Sequence, residues 1–461
     1  MKPVPYFNKK LFYLICGFST LVYFLKWNFQ STYPTPLYGA KKSYVSAALS
    51  RSYDVTRATI RHTPCEEFGE PPNWRKKFKP LLKMDETKYL YPQILEGLGN
   101  QLIGLQLGIQ MAVRLNRTLV LPAFMVHNNT KSIPTSQVID VTKLRKSISV
   151  ISVSELKQSC RGKFDAVFLL SHIWPFYLKT AEHYTEMKLI RNYTARLDED
   201  HRLFPADLAA FGINAYPKNF KPKSRALITP RSEIKQRFAT DDKCVVLLTN
   251  IFGFPRMDDF PRDHGAVGYN MSDEQLYSLS YKLSRRPPMV DKMAKEFVSK
   301  TLGGNFVSLH FRYDEGDWMT DHRCKYPAKT KTCEMVRKKN ASLTMATKMS
   351  HFLKVKYHDI NKVYIAHPPT NAHFITQFKA YFKRKRPKIE FFNSSDLVRA
   401  LKSKFHDCFH KVDFGTAMSM LDMEVCTKSD MFIYSVASTW SDRVRTARNN
   451  KNSISVNRFL Q

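Results

Sequence analysis

Two residues set two positions apart carry the strongest chemical signal in this sequence. They are His310 and Arg312, in "FVSLHFRYDEGDW" at residues 306–318. Side chains alternate along a strand, so the two share a face, and both arrive where the strand gives way to a loop. A guanidinium is a planar fork that matches phosphate oxygens, which makes Arg312 a candidate for neutralising a phosphate or a departing anion. Asp314, Glu315 and Asp317 follow beside Trp318. An edge strand running into a solvated acidic loop would give the same letters, but an arginine at a buried strand end is costly without a partner.

The second candidate is Glu96-Gly97-Leu98-Gly99-Asn100-Gln101. Gly97 and Gly99 let the backbone approach a ligand closely. Asn100 can donate and accept, and Glu96 can take a proton. The helix that follows offers free N–H groups and partial positive charge, which suit a phosphate or a developing oxyanion. A tight turn with an Asn cap explains the same residues without a ligand. The third candidate is "DMFIYSVASTWSDRVRTAR", where Ser438, Thr439 and the first N–H groups of a helix would hold phosphate oxygens, or Ser438 would simply cap the helix. Upstream of it, Asp422 sits in a helical pattern, where a surface carboxylate is the plain reading.

These segments need elements that bring strand ends together. "YLYPQI" from Tyr89 reads as a strand, with Pro92 marking a sheet edge or a strand end. Gln101 to Asn116 reads as a helix whose polar stripe is only Gln106, Gln110 and Arg114, so it is expected to be buried on most sides. "TLVLP" closes a βαβ unit. "AVFLL" and "CVVLLT" read as further core strands. From Gly304 onward strands and helices alternate: "FVSLHF", "SLTMATKMSHFLKV", "KVYIAH", "FITQFKAYFKRK", "KIEFFN", "GTAMSMLDMEVCTKS", "DMFIYS" and "STWSDRVRTAR". Such alternation implies parallel, doubly wound sheets. The expected fold is α/β with two Rossmann-like lobes, residues 86–295 and 296–461, and a ligand cleft at the carboxyl ends of the strands.

The chain has 461 residues and a net charge of +33, which favours anionic partners without choosing among them. The N-terminus narrows the choice. Lys9 and Lys10 precede the uncharged run "LFYLICGFSTLVYFL", and Lys26 and Trp27 follow. Snorkelling and interfacial aromatics make residues 11–29 long enough for a signal anchor, with 1–10 cytoplasmic and the bulk of the chain lumenal. A cleaved signal peptide is the other reading. Either route enters the secretory pathway and argues against nucleic acid. Residues 30–85, rich in Pro, Ser, Tyr and basic residues, read as a stem containing "WRKKFK". Six N-x-S/T sequons, at Asn116, Asn128, Asn192, Asn270, Asn340 and Asn393, agree with that route. Seven cysteines lie outside the apolar run; in an oxidising lumen most should pair and one stay free, with Cys324 and Cys333 close enough to close a small loop.

Taken together, "GLGNQ…LNRTLVLP", "VSLHFRYDEGDW" and "LDMEVCTKSDMFIYSVASTWSDRVRTAR" resemble the GDP-fucose protein O-fucosyltransferase family, within the wider fucosyltransferase superfamily. Order and approximate spacing match from Tyr89 onward. The resemblance implies a GT-B fold, GDP-fucose as donor, inversion at the anomeric carbon, a protein Ser/Thr hydroxyl as acceptor and no metal for the chemistry. Carried over by motif, Arg312 would bind the β-phosphate, and Asn100 with the Gly97–Gly99 loop would lie over fucose and pyrophosphate. His310 and Asp317 would contact nucleotide or sugar, Ser438 and Thr439 would take phosphate oxygens, and Asp422 would take the guanine. Glu96 would be the general base.

The chain departs from the family in two places. The step from His310 to Asp317 is one residue longer than in the protein O-fucosyltransferase that the "DW" most resembles. Tyr434 and Ser435 stand where a glycine and an asparagine are usual. The C-terminal "NRFLQ" is not an ER-retention tetrapeptide, so a single-pass type II protein of the Golgi membrane is expected, or of the ER. Three rival readings remain at this point. One is an α1,2-type glycan fucosyltransferase. The second is a metal-dependent transferase using Asp198-Glu199-Asp200. The third is a non-catalytic lumenal protein binding acidic glycans through residues 383–388, Arg443, Arg445 and Arg448.

Overall fold

The structure is a computed structural model. It describes residues 65, 68, 73–94, 97–126, 132–161, 164–170, 225–227, 238–249, 271–313, 318–320, 324–325, 327–368 and 372–461. The expected anchor, Glu96, Asp317 and the Asp198–Asp200 run lie outside these residues.

The first lobe begins with β1 (Asp85–Gln93), α1 (Leu98–Arg114) and β2 (Arg117–Val120). An antiparallel pair of two-residue strands, β3 (Phe124–Met125) and β4 (Ser132–Ile133), leads to α2 (Val141–Ser147), β5 (Val150–Ile151), α3 (Val153–Cys160), β6 (Ala166–Leu170), β7 (Arg225–Leu227) and β8 (Cys244–Thr249). The sheet order is β5-β2-β1-β8-β6-β7, and every pairing is parallel. The strand order reverses at β1/β8, so the glycine segment after β1 leaves the sheet at its topological switch point. β1 is central, which corrects the edge reading of Pro92. The proline lies one residue from the strand's end, and its ring occupies the space where Gly108 of α1 has no side chain. α1 is buried nearly all round, as its narrow polar stripe requires.

α4 (Asp273–Leu283) and α5 (Pro288–Phe297) lead into the second lobe. There follow β9 (Val307–His310), α6 (Pro327–Arg337), α7 (Ala341–Lys356), β10 (Lys362–Ala366), α8 (Ala372–Lys385), β11 (Glu390–Asn393) and α9 (Ser394–His410). The chain ends with α10 (Phe414–Thr427), β12 (Met431–Tyr434), α11 (Thr439–Ala447), β13 (Ser453–Ser455) and α12 (Asn457–Leu460). This sheet is also parallel, in the order β11-β10-β9-β12-β13.

Period-two alternation puts Val307, Leu309, Val363, Ile365 and Ile433 into one core with Met345 of α7 and Phe378 of α8. Tyr364, Ala366 and Phe432 face the other way, into a core shared with α1, α5 and α10. The lobes are therefore α/β/α layers built on parallel Rossmann-like sheets, and the second sheet reverses order at β9/β12.

Cys65–Cys408, Cys160–Cys244 and Cys324–Cys333 are bonded, and Cys426 is free and buried. The short-range pair matches the sequence expectation. Cys65–Cys408 ties the start of the described chain to α9, 343 residues away in sequence.

Candidate active site

The two strand ends at the β9/β12 switch point are joined by one serine. Ser435 Oγ accepts from the Arg312 backbone N–H at 3.0 Å and donates to the His310 carbonyl at 2.8 Å. The departure from the family pattern at Ser435 thus has a local structural role. The Arg312 side chain is half-buried at this point, where ligands bind in open α/β sheets. Just beyond, the Val436 N–H donates to the Tyr313 hydroxyl at 2.8 Å, and Ala437 takes a left-handed conformation with φ 56°. That is a costly shape for a residue with a Cβ, held here by the bonds on either side.

His310 is buried against the first turn of α11. Its Nδ1 lies 2.7 Å from Ser441 Oγ, and its ring stacks on Trp440 with centroids 4.0 Å apart. Burial first, then the charges of Arg312 and His367, push its pKa well below the usual 6.5, so the ring is neutral. A neutral imidazole fixed on one nitrogen positions its neighbours rather than shuttling protons.

Ser438 caps α11 by accepting from the Ser441 N–H, and Thr439 is the first helical residue. Gly97 occupies the cap position of α1, with no side-chain cap, and the Asn100 N–H donates to its carbonyl at 2.9 Å. A cap asparagine is therefore not what this turn uses. Gly99 explains its own identity: a Cβ there would lie 2.8 Å from Trp440 N and 2.9 Å from Thr439 Oγ1. The N-termini of α1 and α11, from different lobes, thus meet at one place with Arg312 near them in the fold. Two helix starts and a guanidinium concentrate positive potential that suits a diphosphate.

Gln101 is structural. Its amide donates to the Met125 carbonyl and accepts from the Met125 N–H, both at 2.8 Å, pinning the β3 edge. Gly99→Ala is expected to cost about 1–3 kcal/mol of stability, because the nearest obstructing atom, Trp440 N, is backbone and cannot turn aside. Gly415→Ala, where the nearest atom would be 3.6 Å away, should be tolerated. Urea midpoints of the two variants check this.

Asp422 is not on the surface. It is buried, with Tyr364 donating at 2.5 Å and Ser394 donating to both oxygens at 3.0 and 2.8 Å. Burial raises its pKa from 3.8 to about 6, against the opposing pull of those two donors. Between roughly pH 4 and 6 the folded chain therefore keeps a proton that the unfolded chain has lost. Stability falls as pH rises through that window and is flat above it as far as this group is concerned. Asp422→Asn should remove that slope in urea midpoints measured from pH 4 to 7, and an unchanged slope would count against the assignment.

The basic patch read from Arg443, Arg445 and Arg448 does not form. Arg443 is 3% exposed and bridges the lobes, donating to Gln106 of α1 at 2.7 Å and to the Ser284 carbonyl at 3.0 Å, over the ring of Tyr281. Arg445 pairs with Asp442 and lies over Tyr434. Arg448 donates to the carbonyls of Thr427, Ser429 and Asp430. Arg443 is thus packed between the lobes, while Arg445 and Arg448 are tied within the second lobe. In residues 383–388, Arg386 is tied to the carbonyls of His358 and Ile360, and the other cations are exposed.

The sequence reading missed Ser435 and Trp440 as organisers of the site, although both lie inside the quoted motif. It also missed the buried pair of Glu424 with Arg286, at 2.5 Å, which Lys428 joins at 3.1 Å. Charge spacing alone gave no signal for a partner 138 residues away.

A family model described as GDP-fucose protein O-fucosyltransferase matches residues 89–451. Crystal structures of POFUT1 with GDP-fucose and with GDP superpose with TM-scores of 0.49 and 0.48, each at 16% identity, covering 81% of this chain and 99% of that chain. The fucosyltransferase NodZ from Bradyrhizobium superposes with a TM-score of 0.35 at 13% identity, covering 78% of this chain and 93% of that one. No curated protein matches the chain in sequence.

Proposed function

The chain belongs to the GDP-fucose protein O-fucosyltransferase family, fucosyltransferases that take the sugar from GDP-fucose, and on that premise we propose that it transfers fucose, with inversion, to a hydroxyl of a protein Ser or Thr. The lobes take the GT-B arrangement, with the donor at the β9/β12 switch point. One observation carries the reading: the N-termini of α1 and α11 meet at Gly99 and Trp440, beside the strand ends that Ser435 ties together.

In this reading the acceptor oxygen bonds to the anomeric carbon as the bond from that carbon to the β-phosphate oxygen breaks. Glu96 takes the hydroxyl proton. The electron pair leaves with GDP, and Arg312 stabilises the charge that develops there. The first-turn N–H groups of α1 and α11, with Ser438 and Thr439, hold the remaining phosphate oxygens. Asn100 and Gly97 face the sugar and pyrophosphate, and Asp317 contacts nucleotide or sugar. His310 reaches the same ligand through Nε2. Asp422 Oδ2 accepts from Ser394, and its second lone pair serves a guanine N–H. The chain is a single-pass type II protein of the Golgi or ER membrane, anchored by residues 11–29, with the lobes lumenal.

The test is transfer of labelled fucose by the full-length protein to two acceptor sets, folded protein modules and free glycans. Label on protein Ser or Thr, with the anomer opposite to the donor's by NMR, supports the reading. Label on free glycans alone overturns the acceptor assignment, and retained anomeric configuration overturns the displacement.

A further inference from the structure

Outside the cleft, the last turn of α9 carries "HDCFH", residues 406–410. Residues four apart on a helix are surface neighbours, and here both imidazoles are exposed. Their Nε2 atoms lie 3.0 Å apart, with ring centroids at 4.3 Å. His406 Nδ1 lies 3.3 Å from Asp407 Oδ1. A carboxylate on Nδ1 holds the Nδ1–H tautomer and turns the Nε2 lone pair outward, the arrangement that orients metal-bound histidines.

The turn is also held in place. Phe405 breaks helical geometry just before it (φ −123°, ψ 24°), and Cys408, between the two histidines, is bonded to Cys65. We infer that His406 and His410 form a bidentate site for a divalent transition metal of the zinc, copper or nickel type. Two imidazole nitrogens about 2.0–2.1 Å from one metal, at an angle of about 90–110°, are about 2.9–3.4 Å apart. The observed separation falls in that span, so binding replaces the shared proton with little movement of the backbone. Nitrogen ligands suit these metals and not Mg²⁺ or Ca²⁺. Among the described residues no third His, Cys, Asp or Glu joins the pair, so water completes the coordination. The site lies in the last turn of α9, at the opposite end from Ser394, the α9 residue that bonds Asp422, and its role is to lock the turn that carries the Cys65–Cys408 bond.

The experiment is a calorimetric titration of the full-length protein with Zn²⁺, and separately with Mg²⁺, at pH 7.5, together with thermal unfolding. The expected result is that His406→Gln and His410→Gln each lose one zinc equivalent, while His373→Gln, at another exposed helical histidine, keeps it. Asp407→Asn should weaken zinc binding about 10-fold or more. Zinc should raise the melting temperature of the wild type and not of the double variant His406→Gln/His410→Gln. Equal zinc binding by the double variant, or equal binding of Mg²⁺ by the wild type, overturns the site, as does the absence of zinc binding by the folded wild type. The exposed positions make both variants fit to fold, and near-UV circular dichroism verifies it.

Discussion

Replacing Arg312 by alanine is expected to lower kcat/KM for GDP-fucose by about 10²–10³-fold, the cost of removing one preorganised charge-stabilising donor from a departing anion. The backbone N–H of Arg312 donates to Ser435, and that bond does not depend on the side chain. Burial keeps His310 neutral, so it cannot substitute for the lost charge. Arg312→Lys should recover part of the loss, since an ammonium restores the charge without the planar fork. Steady-state kinetics with GDP-fucose, alongside a near-UV spectrum for folding, reads both outcomes. A drop in kcat/KM below tenfold would remove Arg312 from the leaving-group role.

Glu424→Gln is expected to destabilise the folded chain by about 3–5 kcal/mol, as breaking a buried pair leaves its partner charge uncompensated. Glu424 on α10 is 1% exposed, and Arg286, just ahead of α5, donates from Nε at 2.6 Å. Lys428 joins Glu424 to Asp291 of α5 at 3.1 and 2.5 Å. The glutamine keeps the shape and loses the charge, so the effect isolates the ion pair. Burial alone would raise the Glu424 carboxyl, but Arg286 and Lys428 outweigh it and hold the pKa below 4.5. Depressed in the folded state, the group contributes stability above that value and loses it on acidification. The wild type should therefore lose more stability between pH 5 and 3 than the variant does. Urea unfolding across that range measures both effects.

Much of the second lobe was readable from sequence because its strands are short apolar runs separated by helices of clear period. β9, β10, β11 and β12 fall within the quoted segments. α9 was not read: its apolar positions, Leu397, Leu401, Phe405 and Cys408, are sparse among charges, and the break at Phe405 interrupts the period. β13 is three residues long and owes its strand form to pairing with β12.

In the site, His310, Arg312, Gly99 and Ser438 were chosen on residue chemistry, and the fold sets their neighbours at the junction of α1 and α11. What the sequence could not convey was contact across distance. Gly99 reads as a turn glycine until Trp440 is seen against it. Arg443 reads as a surface cation until Gln106 and Ser284 are seen to receive it. Asp422 reads as a surface carboxylate until Tyr364 and Ser394 are seen to donate to it.

The central claim is that a GDP-sugar binds at the β9/β12 switch point with Arg312 on its phosphates. Calorimetric binding of GDP and GDP-fucose to the wild type and to Arg312→Ala tests it most directly. The account predicts saturable 1:1 binding of both nucleotides by the wild type and at least a 100-fold weakening in the variant. Equal affinity in the two proteins, or no binding by a folded wild type, would contradict it.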